Sequence, residues 1–144
     1  MAQFNEEEQQ RIRQAIERAE KNTSGEIRVC VEKNCSEDPL DRAASYFFKL
    51  EMAKTQLRNG VLIYLATNDQ KFAIIGDSGI NQLVPADFWD KTKEAMLQCF
   101  KEADMIQGLV TGIERAGKQL QRYFPILTGD RNELSDDIAF MDGE

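Results

Sequence analysis

Residues 59–77, NGVLIYLATNDQKFAIIGD, decide the fold of this chain. The apolar run at 61–66 is too short for a buried helix and too continuous for a strand with one exposed face. We therefore expect a strand that helices cover on both faces. A second apolar segment at 72–75 follows a tight polar connection at 68–71, so the two segments form an antiparallel hairpin.

Capping residues and helical periodicity predict about four helices around this hairpin. Each predicted helix starts at a side chain that can cap its first turn, or at a proline. The starting residues are Asn5 with Glu8 as a capping box, Asp38 with Pro39, Pro85, and Asp104. The second helix carries its apolar face on Leu40, Ala43, Ala44, Phe47 and Phe48.

A further strand is predicted between the first two helices. Apolar and polar residues alternate from 27 to 32, with Arg28, Cys30 and Glu32 on the polar face. This alternation predicts a strand at the periphery of the sheet. A right-handed crossover through the second helix would join it, in parallel, to the strand at 61–66. The element order thus predicts an α/β fold in which helix layers sandwich a small mixed sheet.

The size of the chain suits one globular domain, since it has 144 residues of which 42% are hydrophobic. Acidic residues concentrate at its end, where 128–144 hold six acids and one arginine. We therefore divide the chain into a domain at 1–127 and an acidic tail at 128–144. The tail is either disordered or forms, through Ile138, Ala139 and Phe140, a short strand or clasp on the domain.

Charge and composition exclude several functions. The formal net charge is -7 and there is no basic stripe, which argues against binding to nucleic acid or to an anionic membrane. No leader segment is apparent, and no apolar run approaches the roughly 20 residues of a membrane span. We expect a soluble, cytoplasmic protein. The absence of histidine excludes Ser-His-Asp and Cys-His catalysis and leaves carboxylates as the chemical groups to consider.

Three cysteines, an odd number without zinc-ligand spacing, fit a reducing compartment. Cys30 and Cys99 lie among apolar residues, where a reduced cysteine packs as a small hydrophobe. Cys35 lies in a polar segment, where a solvent-facing bystander is the favoured interpretation and a reactive thiol the alternative.

Six short motifs occur in an order that resembles the TPM domain. They are SGEI at 24–27, NGVL at 59–62, GDSGI at 76–80, FW at 88–89, FKEAD at 100–104 and GL at 108–109. The resemblance implies a Rossmann-like α/β/α sandwich, binding of calcium or another divalent metal, and the acid phosphatase activity reported for some members. Many relatives carry a signal peptide and a membrane helix, whereas this chain resembles the stand-alone soluble bacterial form.

A metal site is predicted beyond the carboxyl ends of the parallel strands, where ligands gather in open α/β sheets. Glu37 and Asp38 follow the first strand, Asp69 follows the second, and Asp104 follows the helix that returns to the same edge. Such oxygen ligands suit Ca²⁺, and possibly Mg²⁺. Each acid also has a structural interpretation: Asp38 and Asp104 as helix caps, Asp69 as a hairpin-tip residue and Glu37 as a solvated loop acid.

The opposite edge of the sheet offers a second candidate cluster. Glu26, Asp77 and Asp87 could meet there near Asn59. A strand-ending turn is the favoured interpretation of Asp77.

Two functional classes follow from these predictions. In the preferred one, the domain binds a divalent cation and acts as a binding or regulatory module for a protein partner. In the alternative, it is a metal-assisted phosphatase that acts on phosphomonoesters. The alternative has little to hold a phosphate beyond Lys71 and Lys33. A scaffold without a metal site is the third interpretation.

Overall fold

The computed structural model describes residues 4–126 and 138–142, which form a four-stranded mixed sheet between two layers of helices. The strands are β1 (Glu26–Glu32), β2 (Gly60–Ala66), β3 (Lys71–Gly76) and β4 (Ala139–Phe140). The α-helices of the described residues are α1 (Glu6–Glu20), α2 (Pro39–Lys49), α3 (Ser78–Asn81), α4 (Phe88–Lys101) and α5 (Met105–Tyr123), and a 3-10 turn spans Met52–Lys54. The predicted α/β sandwich is confirmed, with α3 as a short additional helix.

The strands lie in the order β3-β2-β1-β4. β1 runs parallel to β2, and β2 runs antiparallel to β3, as the crossover and the tight connection predict. All seven residues of β2 are buried, because α2 covers one face of the sheet while α1, α4 and α5 cover the other. The continuous apolar run at 61–66 therefore has the physical cause that the sequence suggests.

The prediction that β1 is peripheral is wrong. β4 pairs with β1 in parallel, through Cys30 with Ala139 and Val31 with Phe140, so β1 has a neighbour on each side. Its supposedly polar face is also buried at Cys30 and Glu32. Both faces of β1 are therefore buried at these positions, and the alternation at 27–32 reflects a difference in composition between the two buried faces. It does not mark a face exposed to solvent.

Residues 138–142 confirm the strand-or-clasp alternative for their part of the acidic tail. The backbone N–H of Met141 donates to the carbonyl oxygen of Val31 at 2.9 Å, and the ring of Phe140 lies 6.1 Å from that of Phe4 between centroids. Residues 127–137, 143 and 144 of the predicted tail lie outside the described residues. None of the helices in the described part of the chain has the length and apolarity that a membrane crossing requires.

Most predicted helix starts are confirmed. Asn5 and Glu8 form the capping box of α1, and the carboxylates of Asp38 and Asp104 cap α2 and α5. The predicted start at Pro85 is wrong, since α4 begins at Phe88. Pro85 instead opens a turn that the N–H of Phe88 closes on the Pro85 carbonyl oxygen at 3.0 Å.

The apolar face predicted for α2 is only partly buried. Ala43 and Phe47 are buried, but Phe48 is 74% exposed and Leu40 is 47% exposed. Tyr46 takes the interior position because its hydroxyl group finds a buried acceptor. Phe48 consequently lies on the surface beside β3, which bears on a binding surface described below.

Candidate functional site

Two loops touch at the carboxyl edge of β1 and β2. The loop after β1 spans 33–38, and the β2–β3 tip spans 67–70. Asp69 Oδ2 accepts a hydrogen bond from the backbone N–H of Cys35 at 2.6 Å. Lys71 Nζ reaches across the gap and donates to the carbonyl oxygens of Cys35 at 3.0 Å and Glu37 at 3.2 Å. The ammonium group of Lys71 therefore lies where two backbone oxygens converge. We call these two loops the acidic rim.

Three of the predicted metal ligands lie on the acidic rim, and each uses one oxygen. Asp38 Oδ1 accepts from the N–H of Leu40 at 2.8 Å as the α2 cap, and Glu37 Oε2 accepts from Arg42 at 3.3 Å. Asp69 uses Oδ2, as described. The other carboxylate oxygens of Glu37, Asp38 and Asp69 make no hydrogen bond with any described residue, and all three side chains are exposed.

Asp104 makes no hydrogen bond with the acidic rim among the described residues. It caps α5, where its Oδ1 accepts from the N–H of Gln107 at 3.0 Å, and α5 packs on the sheet face opposite α2. Within residues 4–126 and 138–142, no group of three or more His, Cys, Asp or Glu side chains is arranged to hold a metal ion. Any site on the acidic rim would need its exposed side chains to converge.

A buried carboxylate beneath the acidic rim escaped the sequence analysis. Glu32 ends β1 with its side chain 5% exposed. Its Oε1 accepts from Arg42 at 3.1 Å and from the Tyr46 hydroxyl at 2.7 Å. Its Oε2 accepts from Arg42 Nε at 2.8 Å and from the Tyr64 hydroxyl. Because these donors come from α2 and β2, Glu32 links both elements to the end of β1.

The surroundings of Glu32 determine how its neighbours titrate. Burial raises the pKa of the Glu32 carboxyl, but the hydrogen bonds from Arg42, Tyr64 and Tyr46 outweigh burial and leave that pKa below its usual range. Burial, and then hydrogen bonding to Glu32, raise the pKa of Tyr64 and that of Tyr46. Glu32 is therefore an anion that the fold holds with neutral tyrosines, which suits a structural role beneath the rim.

One sequence signal could have revealed the Glu32 network. A carboxylate on a buried strand requires donors, because an unpaired buried charge is costly. Arg42 and Tyr46 recur four residues apart on α2, the spacing that places both on one face of a helix. The signal identifies the need for partners, but it does not say which strand or helix supplies them.

The cysteines provide a direct check on the rim. Cys35 is 2% exposed, so the prediction of a solvent-facing thiol is wrong. Its Sγ donates to the Glu37 carbonyl oxygen at 3.2 Å, which draws the loop inward. Cys30 is fully buried, and burial is the main cause that raises its pKa to about 12. Cys99 is half-buried at the surface of α4.

We expect a thiol-disulfide reagent such as DTNB to modify Cys99 first in the native protein, and Cys30 and Cys35 only on unfolding. The physical reason is access together with the low thiolate fraction of Cys30. Absorbance of released thionitrobenzoate measures the rate, and Cys99→Ser identifies the fast phase. Rapid labelling that survives in Cys99→Ser would contradict the packed conformation of the loop at 33–38.

The opposite edge gathers two of its three predicted acids. The N–H of Glu26 donates to the Asn59 carbonyl oxygen at 3.3 Å, and the N–H of Asp77 donates to the Gly60 carbonyl oxygen at 2.9 Å. Asp77 is buried and forms two hydrogen bonds of 2.7 Å with Arg58. The third acid, Asp87, instead pairs with Lys91 at 3.0 Å. Asp77 therefore acts as an ion-pair partner and as the α3 cap.

Fold and site together define a small α/β/α domain with acidic loops at one edge of a mixed sheet. The family model described as the TPM domain matches residues 2–119, and the chain belongs to this family. A search of curated proteins found none that matches the chain.

Two solved structures are similar to this domain. The NMR structure of the BA42 protein from the psychrophilic bacterium Bizionia argentinensis is 49% identical, with a TM-score of 0.88 and coverage of 96% of each chain. The N-terminal domain of the cg2496 protein from Corynebacterium glutamicum is 16% identical, with a TM-score of 0.66 over 82% of this chain and 74% of that one. The second likeness shows the fold alone.

Proposed function

We propose that the domain is a divalent-cation-binding module, with Ca²⁺ the preferred ion and Mg²⁺ the second choice, that regulates a protein partner through the acidic rim. Glu37, Asp38 and Asp69 would supply carboxylate oxygens, and the carbonyl oxygens of Cys35 and Glu37 would add neutral ligands. Asp104 is left out of this set because it takes no part in the hydrogen bonds that join the loops at 33–38 and 67–70.

One observation carries the proposal: the Lys71 ammonium group lies on the carbonyl oxygens of Cys35 and Glu37. This group stands in for a cation, so the oxygens of the rim already face positive charge. Each of the three carboxylates retains one oxygen without a hydrogen bond to a described residue. A divalent ion would displace the Lys71 ammonium group from the two carbonyl oxygens, while the α2 cap and the Asp69–Cys35 hydrogen bond stay in place, and it would join the two loops.

Titration with CaCl₂ and then MgCl₂, followed by backbone amide NMR and calorimetry, tests the proposal. We expect saturable Ca²⁺ binding with shifts at 33–38 and 67–71, weakened about tenfold or more by Asp69→Asn. Lys71→Met should tighten binding, because it removes a positive charge beside the site. Asp104→Asn is the matched control and should bind as the wild type does.

Two results would overturn this assignment. The first is an absence of saturable shifts at millimolar Ca²⁺. The second is an equal loss of affinity in Asp69→Asn and Asp104→Asn. That result would indicate either a different set of ligands or a nonspecific effect of acidic charge. The phosphatase alternative gains no support from the rim, since the described contacts already engage Lys71 with carbonyl groups and Arg42 with Glu32.

A further inference from the structure

β3 is an open edge of the sheet within the described residues, because β2 is its one strand neighbour there. The N–H of Asp77 donates to the Gly60 carbonyl oxygen at 2.9 Å, so Asp77 and Gly60 are a hydrogen-bonded pair of the β2–β3 ladder. Since backbone groups alternate along an antiparallel strand, the N–H and carbonyl groups of Phe72 and Ile74 point away from β2. They have no backbone partner among the described residues. An edge of this kind is a template for another strand.

Apolar pockets flank this edge on both faces of the sheet. On the α4 face, a pocket of about 370 Å³ lies between Phe72, Leu97, Phe100 and Met105, with Gln70 and Lys101 as its polar lining residues. We call it the α4-side pocket. The rings of Phe72 and Phe100, which both line it, lie 4.8 Å apart between centroids, and Leu97 in the same lining is 42% exposed. Its volume falls within the range of about 300–1,000 Å³ typical of binding pockets.

On the α2 face, a smaller pocket of about 180 Å³ lies between Phe47, Phe48, Ala53 and Ile75. We call it the α2-side pocket. Phe48 is 74% exposed and presents most of its ring to solvent beside this pocket. The only charged groups that line the pocket, Arg58 and Asp77, neutralise each other in the ion pair described above.

The two pockets are spaced so that side chains on opposite faces of one added strand could enter them. Side chains of successive strand residues point to opposite faces, and cross-strand neighbours share a face. A residue opposite Phe72 would therefore enter the α4-side pocket, and a residue opposite Ile75 would enter the α2-side pocket. These two positions lie three residues apart on the added strand.

We infer that β3 and its two pockets form a docking site for an extended segment of a partner protein, which adds a fifth strand to the sheet and carries two apolar residues three positions apart. Main-chain hydrogen bonds to Phe72 and Ile74 would supply affinity, and the pockets would supply specificity. The larger pocket has room for an aromatic side chain and the smaller for an aliphatic one. The inference does not depend on cation binding at the acidic rim.

A second copy of the chain fits this edge less well than a partner segment does. A two-fold axis centred on Ile74 would place Phe72 opposite Gly76, whose outward carbonyl oxygen already accepts from Asn81 Nδ2 at 2.7 Å. A two-fold axis centred on Ala73 would place charged Lys71 opposite apolar Ile75. Neither register presents apolar residues to both pockets.

A phage-displayed library of random dodecapeptides, selected on the immobilised full chain, tests the inference. The enriched peptides should share two apolar residues three positions apart. A synthetic copy of one, titrated into ¹⁵N-labelled protein, should shift the amides of Phe72, Ile74 and Gly76. Leu97→Glu should weaken its binding about tenfold or more, because it places a charge in the α4-side pocket.

Matched variants separate the groove from general surface effects. Leu83 is 44% exposed, close to the 42% of Leu97, but does not line either pocket, so Leu83→Glu should bind as the wild type does. Phe48→Ser should weaken binding several-fold, whereas Leu40→Ser on the same helix should not. Circular dichroism of each variant checks that the fold persists.

Three outcomes would overturn the docking site. One is a selection that enriches no peptide. Another is peptides that bind Leu97→Glu and Leu83→Glu equally or shift residues away from β3. The third is concentration-dependent dimerisation, measured by light scattering, that Leu97→Glu abolishes, since a second copy would then occupy the edge. Asp69→Asn should weaken Ca²⁺ binding and leave peptide binding unchanged. The two sites can therefore be tested separately, and failure of one proposal does not imply failure of the other.

Discussion

Replacing Glu32 with glutamine is expected to lower the free energy of unfolding by about 3 kcal/mol. The substitution preserves shape but removes the charge that accepts two hydrogen bonds from Arg42 and one from each of two tyrosines. An amide group has a single acceptor oxygen, so at least one buried donor loses its partner. Urea unfolding followed by circular dichroism measures the change.

Glu37→Gln is the matched control for this substitution. Glu37 also accepts from Arg42, at 3.3 Å, but its side chain is 47% exposed whereas that of Glu32 is 5% exposed. An exposed ion pair contributes little, so this variant should lose less than about 1 kcal/mol. Equal losses in the two variants would show that burial does not set the energetic role of Glu32.

The pH dependence of the same difference is a second readout. The pKa of Glu32 is lower in the folded state than in the unfolded state, so its contribution is complete above the ordinary glutamate value of about 4.3. It is lost as the pH falls below that value through the folded pKa. The stability difference between the wild type and Glu32→Gln should therefore narrow below about pH 4. A difference that stays constant down to pH 3 would contradict the charge-based explanation.

Replacing Gly79 with alanine should also destabilise the fold by about 3 kcal/mol. A Cβ atom at this position would lie 2.1 Å from the Leu57 carbonyl oxygen and 2.6 Å from that of Arg58. Both are backbone atoms, which cannot rotate away as a side chain can. The substitution must push α3 from the preceding loop and break the 2.8 Å hydrogen bond from the Gly79 N–H to the Arg58 oxygen.

Ser78→Ala is the control for Gly79→Ala. Ser78 is exposed and belongs to the same short helix, so we expect a change within about 0.5 kcal/mol. Thermal and urea unfolding of both variants give the comparison. A loss below about 1 kcal/mol in Gly79→Ala would mean that the loop at 57–59 yields easily and that the close approach has no energetic weight.

The helices and the hairpin could be predicted because their signals are local. A capping box joins residues three apart, as in Asn5 with Glu8, and burial on both faces produces the unbroken apolar run of β2. The six ordered motifs were sufficient to identify the family. Confirmed helix starts at Pro39 and Met105 follow from a single capping side chain each. The predicted start of α4 at Pro85 was wrong because proline suits a β-turn as well as the first turn of a helix.

The acidic rim could be predicted only in part. The position of Glu37, Asp38 and Asp69 at one edge follows from parallel strands, whose carboxyl ends share an edge. The hydrogen bond of Asp104 within α5 does not decide its role, because a carboxylate that caps a helix keeps a second oxygen for a ligand. The hydrogen bonds from Lys71 to two carbonyl oxygens could not be predicted either, because every residue has a backbone carbonyl group and the sequence does not single out these two.

The sequence by itself determined the elements, their order, the family and the absence of histidine chemistry, because these depend on residue type and short spacing. The tertiary structure alone decided the interior position of β1, since its partner β4 lies more than a hundred residues further along the chain. It also decided which donors neutralise Glu32, that Cys35 is buried, and that β3 keeps an open edge within the described residues. Each of these depends on contacts between segments distant in sequence, which local periodicity does not encode.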